Sequence, residues 1–144
     1  MQQDESGKAG EPVGKSVMDA EHEMLHGLLD ELKAELESGG ERVGELVDRF
    51  DTAAHAHFLE EQSLMRLHAY PGYEAHQNEH DELIEELRRL TARIEGGEAV
   101  DAARLARELD TWFTVHMKTT DAALEEYLRR EGIRPGTPDR KTSD

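Results

Sequence analysis

Apolar residues recur every three or four positions along most of this chain, and this spacing predicts amphipathic helices. The predicted helices cover approximately residues 17–37, 41–68, 73–94 and from 98 onward, with a further helical stretch over residues 121–130. Residues 1–16 and 132–144 have no such period and are rich in glycine, polar residues and charge. We therefore interpret both ends as flexible tails.

Glycine and proline separate the helical patterns. Ser38-Gly39-Gly40 ends the first, Tyr70-Pro71-Gly72 the second and Gly96-Gly97 the third. Glycine favours helix C-termini, and proline cannot continue a helix. Short turns between helices of about 20 residues predict an all-α protein, an antiparallel up-down-up-down four-helix bundle with a short C-terminal helical extension. We expect this bundle to span residues 17–131.

Composition agrees with amphipathic helices and excludes several function classes. Of the 144 residues, 36% are apolar and 35% charged, and only 5% are aromatic, which disfavours a sheet protein. A net charge of −16 argues against nucleic-acid partners and anionic membrane surfaces. The lack of cysteine excludes disulfides, thiolate metal sites and iron–sulfur clusters. Because no apolar stretch is typical of a membrane span or signal peptide, we expect a cytoplasmic protein.

Candidate chemistry lies in four short clusters within the helical patterns. These clusters are His22; His57 with Glu61; His76 with His80; and His116 with Asp121. Residues four apart lie about 40° apart around a helix. His57 and Glu61 therefore project from one face, one turn apart, and His76 and His80 do the same. A polar group on an apolar face is costly unless it has a partner, which favours a shared function.

The last cluster has a different spacing. Five residues separate His116 from Asp121, which corresponds to about 140° on a regular α-helix and would direct Asp121 away from His116. Thr119-Thr120 is poor for helix propagation. We therefore predict that the helix breaks at this pair and turns Asp121 back toward His116.

The ligand types indicate a two-metal site. Neutral imidazole and carboxylate suit iron, manganese or zinc. Seven ligands are too many for one zinc or iron ion, whereas two ions can share Glu61 and Asp121 as bridges. Dividing five histidines three and two leaves one position open on one metal, and a small apolar gas such as dioxygen fits it. The predicted wall of this pocket consists of Leu25, Trp112, Phe113 and Met117.

The other histidines are weaker candidates. Glu23 and His26 form a Glu-x-x-His motif used by ferritin-like di-iron proteins, but those need two such motifs and this chain has one. His26 therefore stays an alternative to His22, which lies closer to the apolar stripe. His55 is expected to point outward, and His68 is expected to be exposed at a helix end.

Four segments resemble the bacterial hemerythrins. They are Asp19-x-x-His22, HFLEEQSLM at residues 57–65, YPGYEAHQNEH at residues 70–80 and WFTVHMKTTD at residues 112–121. The resemblance covers about residues 17–130. It implies the same bundle fold and a non-haem di-iron site, bridged by Glu61, Asp121 and an oxo or hydroxo group.

The resemblance also implies a role for each histidine. His76, His80 and His116 would bind a coordinatively saturated iron, and His22 and His57 would bind the iron that receives dioxygen. The chain departs from the family at two positions that line the gas pocket there. Phe113 replaces the usual Leu after the Trp, and Met117 replaces the usual Ile after the histidine.

The expected function is reversible dioxygen binding for storage, delivery or buffering, without enzymatic turnover. Two alternatives stay open. One is a sensing or partner-binding module, in which site occupancy moves the first helix and the N-terminal tail. The other is a di-iron enzyme acting as a peroxidase, oxidase or nitric-oxide reductase. Because the 144 residues show no receptor or catalytic module beside the bundle, storage is favoured. We expect a monomer whose main partner is dioxygen.

Overall fold

The computed structural model describes residues 17–133, and these residues are almost entirely helical. Its elements are α1 (Val17–Ser38), α2 (Val43–Leu67), α3 (Tyr73–Glu95), α4 (Ala99–His116), a π-helical turn (Met117–Asp121) and α5 (Ala122–Arg130). The predicted flexible tails, residues 1–16 and nearly all of residues 132–144, lie outside the described residues. Within residues 17–133, no helix is long and apolar enough to cross a membrane.

The four long helices form the predicted bundle. Helix α1 packs on α2 and α4, and α3 packs on the same two helices, so that sequence neighbours lie side by side and the ring closes between α1 and α4. Connections of a few residues require this antiparallel order. The all-α four-helix bundle and its C-terminal extension are confirmed. The assignment of residues 17–131 as a single domain stays a prediction.

Two apolar clusters fill the bundle, and the predicted metal ligands lie between them along each helix. The main cluster includes Leu25, Phe50, Phe58, Leu83 and Phe113, all buried. The second cluster consists of the buried residues Met18, Met65, Leu124 and Leu128, with tyrosines packed against it. On α1, for example, His22 falls between Met18 and Leu25. The polar layer is therefore enclosed by apolar packing at both ends.

Helix α2 ends differently from the prediction. It stops at Leu67, and the residue in the left-handed conformation is Ala69 (φ 52°) rather than a glycine. The Tyr70 amide donates to the Met65 carbonyl (2.9 Å), which closes the turn. His68, predicted to be exposed, is half-buried, and its carbonyl accepts a hydrogen bond from the Tyr127 hydroxyl (2.7 Å). A tertiary contact thus secures a turn that glycine would normally form.

The junction between α4 and α5 is also corrected. The helix does not break at Thr119-Thr120; it widens into one π-helical turn and continues directly as α5. A π turn contains one more residue than an α turn. The extra residue rotates Asp121 back to the face of His116, so the predicted orientation of Asp121 is confirmed, although the predicted break is wrong.

Candidate metal centre

All seven predicted ligands meet between the four helices. Ligand atoms in each of two groups lie within 4.8 Å of one another. We call Glu61, His76, His80, His116 and Asp121 the buried half, and His22, His57, Glu61 and Asp121 the outer half. The His22 side chain is 13% exposed, whereas the side chains of the other six are at most 2% exposed. The centre is therefore closed except beside His22.

Glu61 directs one oxygen to each half. Its Oε1 lies 2.9 Å from His80 Nε2 and 3.2 Å from His76 Nε2. Its Oε2 lies 3.3 Å from His57 Nε2 on the same helix. A carboxylate whose two oxygens face different sets of imidazole nitrogens has the arrangement needed to bridge two ions.

Asp121 has the same arrangement. Its Oδ1 lies 3.0 Å from His76 Nε2 and 3.1 Å from His116 Nε2. Its Oδ2 lies 3.0 Å from His22 Nε2, and that nitrogen is also 3.0 Å from His57 Nε2. The side chain comes from the π-helical turn, while Glu61 comes from α2. The two potential bridges thus approach from different helices.

Several of these buried atoms have no hydrogen-bond partner in spite of the close contacts. Among the described residues, the buried atoms without a hydrogen-bond partner include Glu61 Oε2, His80 Nε2, His116 Nε2 and both carboxylate oxygens of Asp121. Buried charges are usually paired or bound to metal, and an unsatisfied buried polar atom is costly. Imidazole nitrogens and carboxylate oxygens are both electron-pair donors, so their convergence fits a pair of divalent cations.

The close contacts between imidazoles and carboxylates shift the pKa values of both groups. Burial lowers the pKa of His57, but the contact with Glu61 and its charge outweigh burial and raise the pKa to about 9. The pKa of His76 is likewise about 9, because contacts with Asp121 and Glu61 outweigh burial. Burial raises the pKa of Glu61, yet close contacts with His57, His76 and His80 lower it to about 2. Protons on His57 and His76 therefore balance the carboxylates, and a metal that binds here would displace them.

Two carboxylates outside the cluster orient two of the predicted ligand histidines. The Nδ1 of His57 donates to Glu21 Oε1 (2.6 Å), and the Nδ1 of His116 donates to Glu79 Oε1 (2.7 Å). Each bond leaves Nε2 of the same ring facing the cluster. Metal-binding histidines commonly have such a partner on the other nitrogen, because it fixes the tautomer and the ring orientation.

Sequence reasoning missed both of these carboxylates, although a signal was present. Glu21 directly precedes His22, and Glu79 directly precedes His80. The next residue on a helix lies about 100° around the axis. A carboxylate just before an inward-facing histidine can therefore reach across to the neighbouring helix, as both residues do.

Aromatic rings support the buried half. Phe58 stacks on His80, with ring centroids 3.8 Å apart and an interplanar angle of 11°. Trp112 stacks on His116, with centroids 4.9 Å apart and an angle of 12°. Trp112 also lines a groove between α3 and α4 together with Leu105. The structure therefore places Trp112 against a ligand histidine of the buried half.

The other predicted pocket residues lie in or against the main apolar cluster. Leu25 and Phe113 are fully buried, and Met117 is partly buried in the π-helical turn. The Phe113 ring meets the His26 ring edge-on, with centroids 5.5 Å apart. These residues make the surroundings of the centre apolar. That they line a gas pocket stays a prediction.

The structure places His22 in the centre and the alternative candidate His26 outside it. His26 belongs to neither half of the centre, and its Nδ1 lies 3.7 Å from Asp110 Oδ1. His55 is exposed, as predicted, and contacts the Asp51 carbonyl of its own helix (3.0 Å).

Two further carboxylates lie beside His22. Asp19 and Glu125 form a third, half-buried group with this histidine. Burial raises the pKa of Glu125, and the charge of Asp19 adds to that effect. Sequence reasoning missed Glu125, which lies one turn beyond Asp121. The accessible edge of the centre is therefore acidic.

Comparison with known proteins agrees with this geometry. The family model of the hemerythrin HHE cation binding domain matches residues 13–128. A bacteriohemerythrin from Ralstonia nicotianae (strain ATCC BAA-1114 / GMI1000) is 27% identical over 124 residues, covering 83% of this chain and 85% of that protein. No solved structure matches the chain significantly. Because the family model spans well over half of the chain, this four-helix, cation-binding chain belongs to the hemerythrin family.

Proposed function

We propose that this protein binds dioxygen reversibly at a non-haem di-iron centre, for storage, delivery or buffering. The observation that carries the proposal is the convergence of buried ligand atoms between two apolar clusters. Membership of the family, whose domain is a cation-binding one, supports the choice of iron and dioxygen. The proposed iron ligands are His22, His57, Glu61, His76, His80, His116 and Asp121.

In this proposal the two carboxylates would bridge the two metal ions, and the histidines would be shared unequally between the ions. Glu61 and Asp121 each give one oxygen to each half. The buried half adds three histidines and the outer half adds two. Because the outer half contains one histidine fewer, it would leave room for a small ligand. Two bound ferrous ions would supply the electrons for reversible dioxygen binding, while the residues supply position and environment.

The surroundings favour reversible binding over turnover. Leu25, Phe113 and Met117 belong to or pack against the main apolar cluster, which limits the entry of water. Two of the acids beside these histidines, Glu21 and Glu79, are engaged by imidazole Nδ1 atoms. A relative of this chain is named a bacteriohemerythrin. The expectation of a cytoplasmic monomer stays a prediction.

The test is to load the protein anaerobically with ferrous iron, admit air, and then purge with argon while recording the visible spectrum. We expect two irons per chain and a visible band that appears in air and fades under argon. A matched H76A/H80A double variant should show neither. Two irons with immediate, irreversible oxidation would contradict reversible binding and favour a redox enzyme or sensor. Failure to retain iron would contradict the di-iron centre itself.

A further inference from the structure

One oxygen of Glu79 contacts two different parts of the centre. Glu79 Oε1 accepts a hydrogen bond from His116 Nδ1 (2.7 Å) and a second from the Thr120 hydroxyl (2.7 Å). His116 is the last residue of α4, and Thr120 lies within the π-helical turn. Since Glu79 comes from α3, these two bonds join α3 to both sides of the place where the neighbouring helix widens.

This widening decides where Asp121 points. On a continuous α-helix, Asp121 would lie about 140° from His116 and outside the centre. The π turn brings its Oδ1 to 3.1 Å from His116 Nε2. Isolated π turns are rare and occur mostly at functional sites, which indicates that other contacts must maintain them. Besides Asp121 itself, Thr120 is a residue of this turn whose side chain contacts another helix, through its hydrogen bond to Glu79.

We propose that Glu79 is a positioning residue: through Thr120 it holds the π-helical turn that directs Asp121 into the centre, and through Nδ1 it orients His116. Glu79 touches neither Glu61 nor any other bridging group, so its effect on the metals is exerted through these two residues. This inference rests on the proposed metal-binding function.

The corresponding carboxylate of the outer half has no such second role. Glu21 accepts a hydrogen bond from His57 Nδ1 (2.6 Å) and also contacts the acid Glu60, which lies on the same helix as His57. His57 also lies within a regular α-helix. Glu21 therefore orients one ring, whereas Glu79 controls one ring and the local course of the backbone.

Thr119 offers a matched control within the same turn. Its hydroxyl donates to the Val115 carbonyl of its own helix (2.7 Å) and is exposed. T119V and T120V therefore remove the same group from adjacent positions, but only T120V removes a bond to Glu79. T120S keeps the hydroxyl and serves as the conservative variant. E79Q retains the size of the side chain and removes its charge.

The experiment titrates the metal-free full-length protein with Co²⁺ alone and records affinity, stoichiometry and the visible spectrum. We expect E79Q to weaken Co²⁺ binding by about 10- to 100-fold and to change the spectrum. T120V should weaken binding less and change the spectrum in the same direction, T120S should restore both, and T119V should match the original protein. T120V provides the test if E79Q does not fold.

Each result has a defined meaning. The proposal is overturned if T120V matches T119V in Co²⁺ affinity and spectrum, even when T120V lowers the unfolding temperature of the metal-free protein, because that pattern is a purely structural role. If the unsubstituted protein takes up no Co²⁺, the proposed metal function fails and this inference fails with it. Two bound Co²⁺ in the original protein with equal binding in every variant overturns the role of Glu79 alone.

Discussion

The two halves of the centre share both carboxylates but differ in the contacts that hold their histidines in place. In the buried half, Phe58 stacks on His80, Trp112 stacks on His116, and Glu79 bonds to His116. In the outer half, Glu21 bonds to His57, and His22 remains partly exposed. The bundle therefore encloses every histidine of the buried half, whereas His22 of the outer half lies beside solvent.

With the proposed function, this difference would let the protein retain metal in one half and exchange a small ligand in the other. A buried, stacked ring loses little additional freedom when it binds an ion, which favours tight binding. A partly exposed ligand leaves a route for ions and small molecules. We therefore expect the buried half to determine metal retention and the outer half to determine access.

Replacing a carboxylate that both halves share should impair metal binding in both halves equally. E61A and D121A each remove an oxygen from both groups, and we expect either variant to lose both metals and to unfold at least about 10 °C lower than the loaded protein. Iron per chain and thermal unfolding measure the two effects. E74Q, which changes an exposed acid on α3, is the control. Retention of two irons in both variants would exclude the bridging role.

Histidine replacements in the two halves should differ in their effect on metal retention. H80A removes a fully enclosed ligand and leaves a space beside Phe58, whereas H22A removes the partly exposed ligand. After dialysis, we expect H22A to keep one metal in the buried half and H80A to keep less. Metal per chain, measured on both variants under the same conditions, decides the comparison. Equal retention would show that burial does not govern the order of binding.

The pH dependence of the metal-free protein should follow its histidines. His57 and His76 have pKa values raised from 6.5 to about 9, so the stability that their protonation contributes is complete below pH 6.5 and is lost as the pH rises through 9. We expect the unfolding temperature of the metal-free protein to fall by several degrees between pH 6.5 and 9.

The metal-loaded protein provides the comparison for this pH prediction. Bound metal displaces the imidazole protons, so its unfolding temperature should change much less between pH 6.5 and 9. Thermal scans of both forms in the same buffers make the measurement. Parallel curves for the two forms would show that His57 and His76 are not the groups that metal deprotonates.

The smallest effect is expected at Met117. Isoleucine is stiff at its first side-chain torsion, whereas methionine is adaptable, so M117I should admit water less readily to the outer half. We expect iron content to stay unchanged and autoxidation in air to slow by less than about tenfold. V115I, an exposed site on α4, is the matched control. A change in iron content would assign Met117 to metal retention instead.

Much of the site could be read from the chain because it depends on local spacing. His57 with Glu61 and His76 with His80 share helix faces through a separation of four residues, whatever the neighbouring helices do. The opposite case is Asp121, whose separation of five residues predicted the wrong face on a regular helix. Only the widened turn accounts for its position. The residue types in that turn do not distinguish a π-helix from a break in the helix.

Contacts between helices were also not predictable from the sequence. Glu21 and Glu79 look like two of many acids on solvated faces, and their roles depend on which histidine the adjacent helix presents. The role of Trp112 in a gas pocket stays a prediction, whereas its stacking on His116 beside an outer groove could not be read from the sequence. Spacing within one helix cannot fix the rotation of that helix against its neighbour.

By itself, the sequence determined the helices, the bundle, the polar layer between apolar stripes and the seven ligand candidates, because periodicity is a property of each segment alone. The tertiary structure decided the division into a buried and an outer half, the π-helical turn that directs Asp121, and the carboxylates that orient His57 and His116. These features depend on the free energy of packing several helices together, which only the folded arrangement specifies.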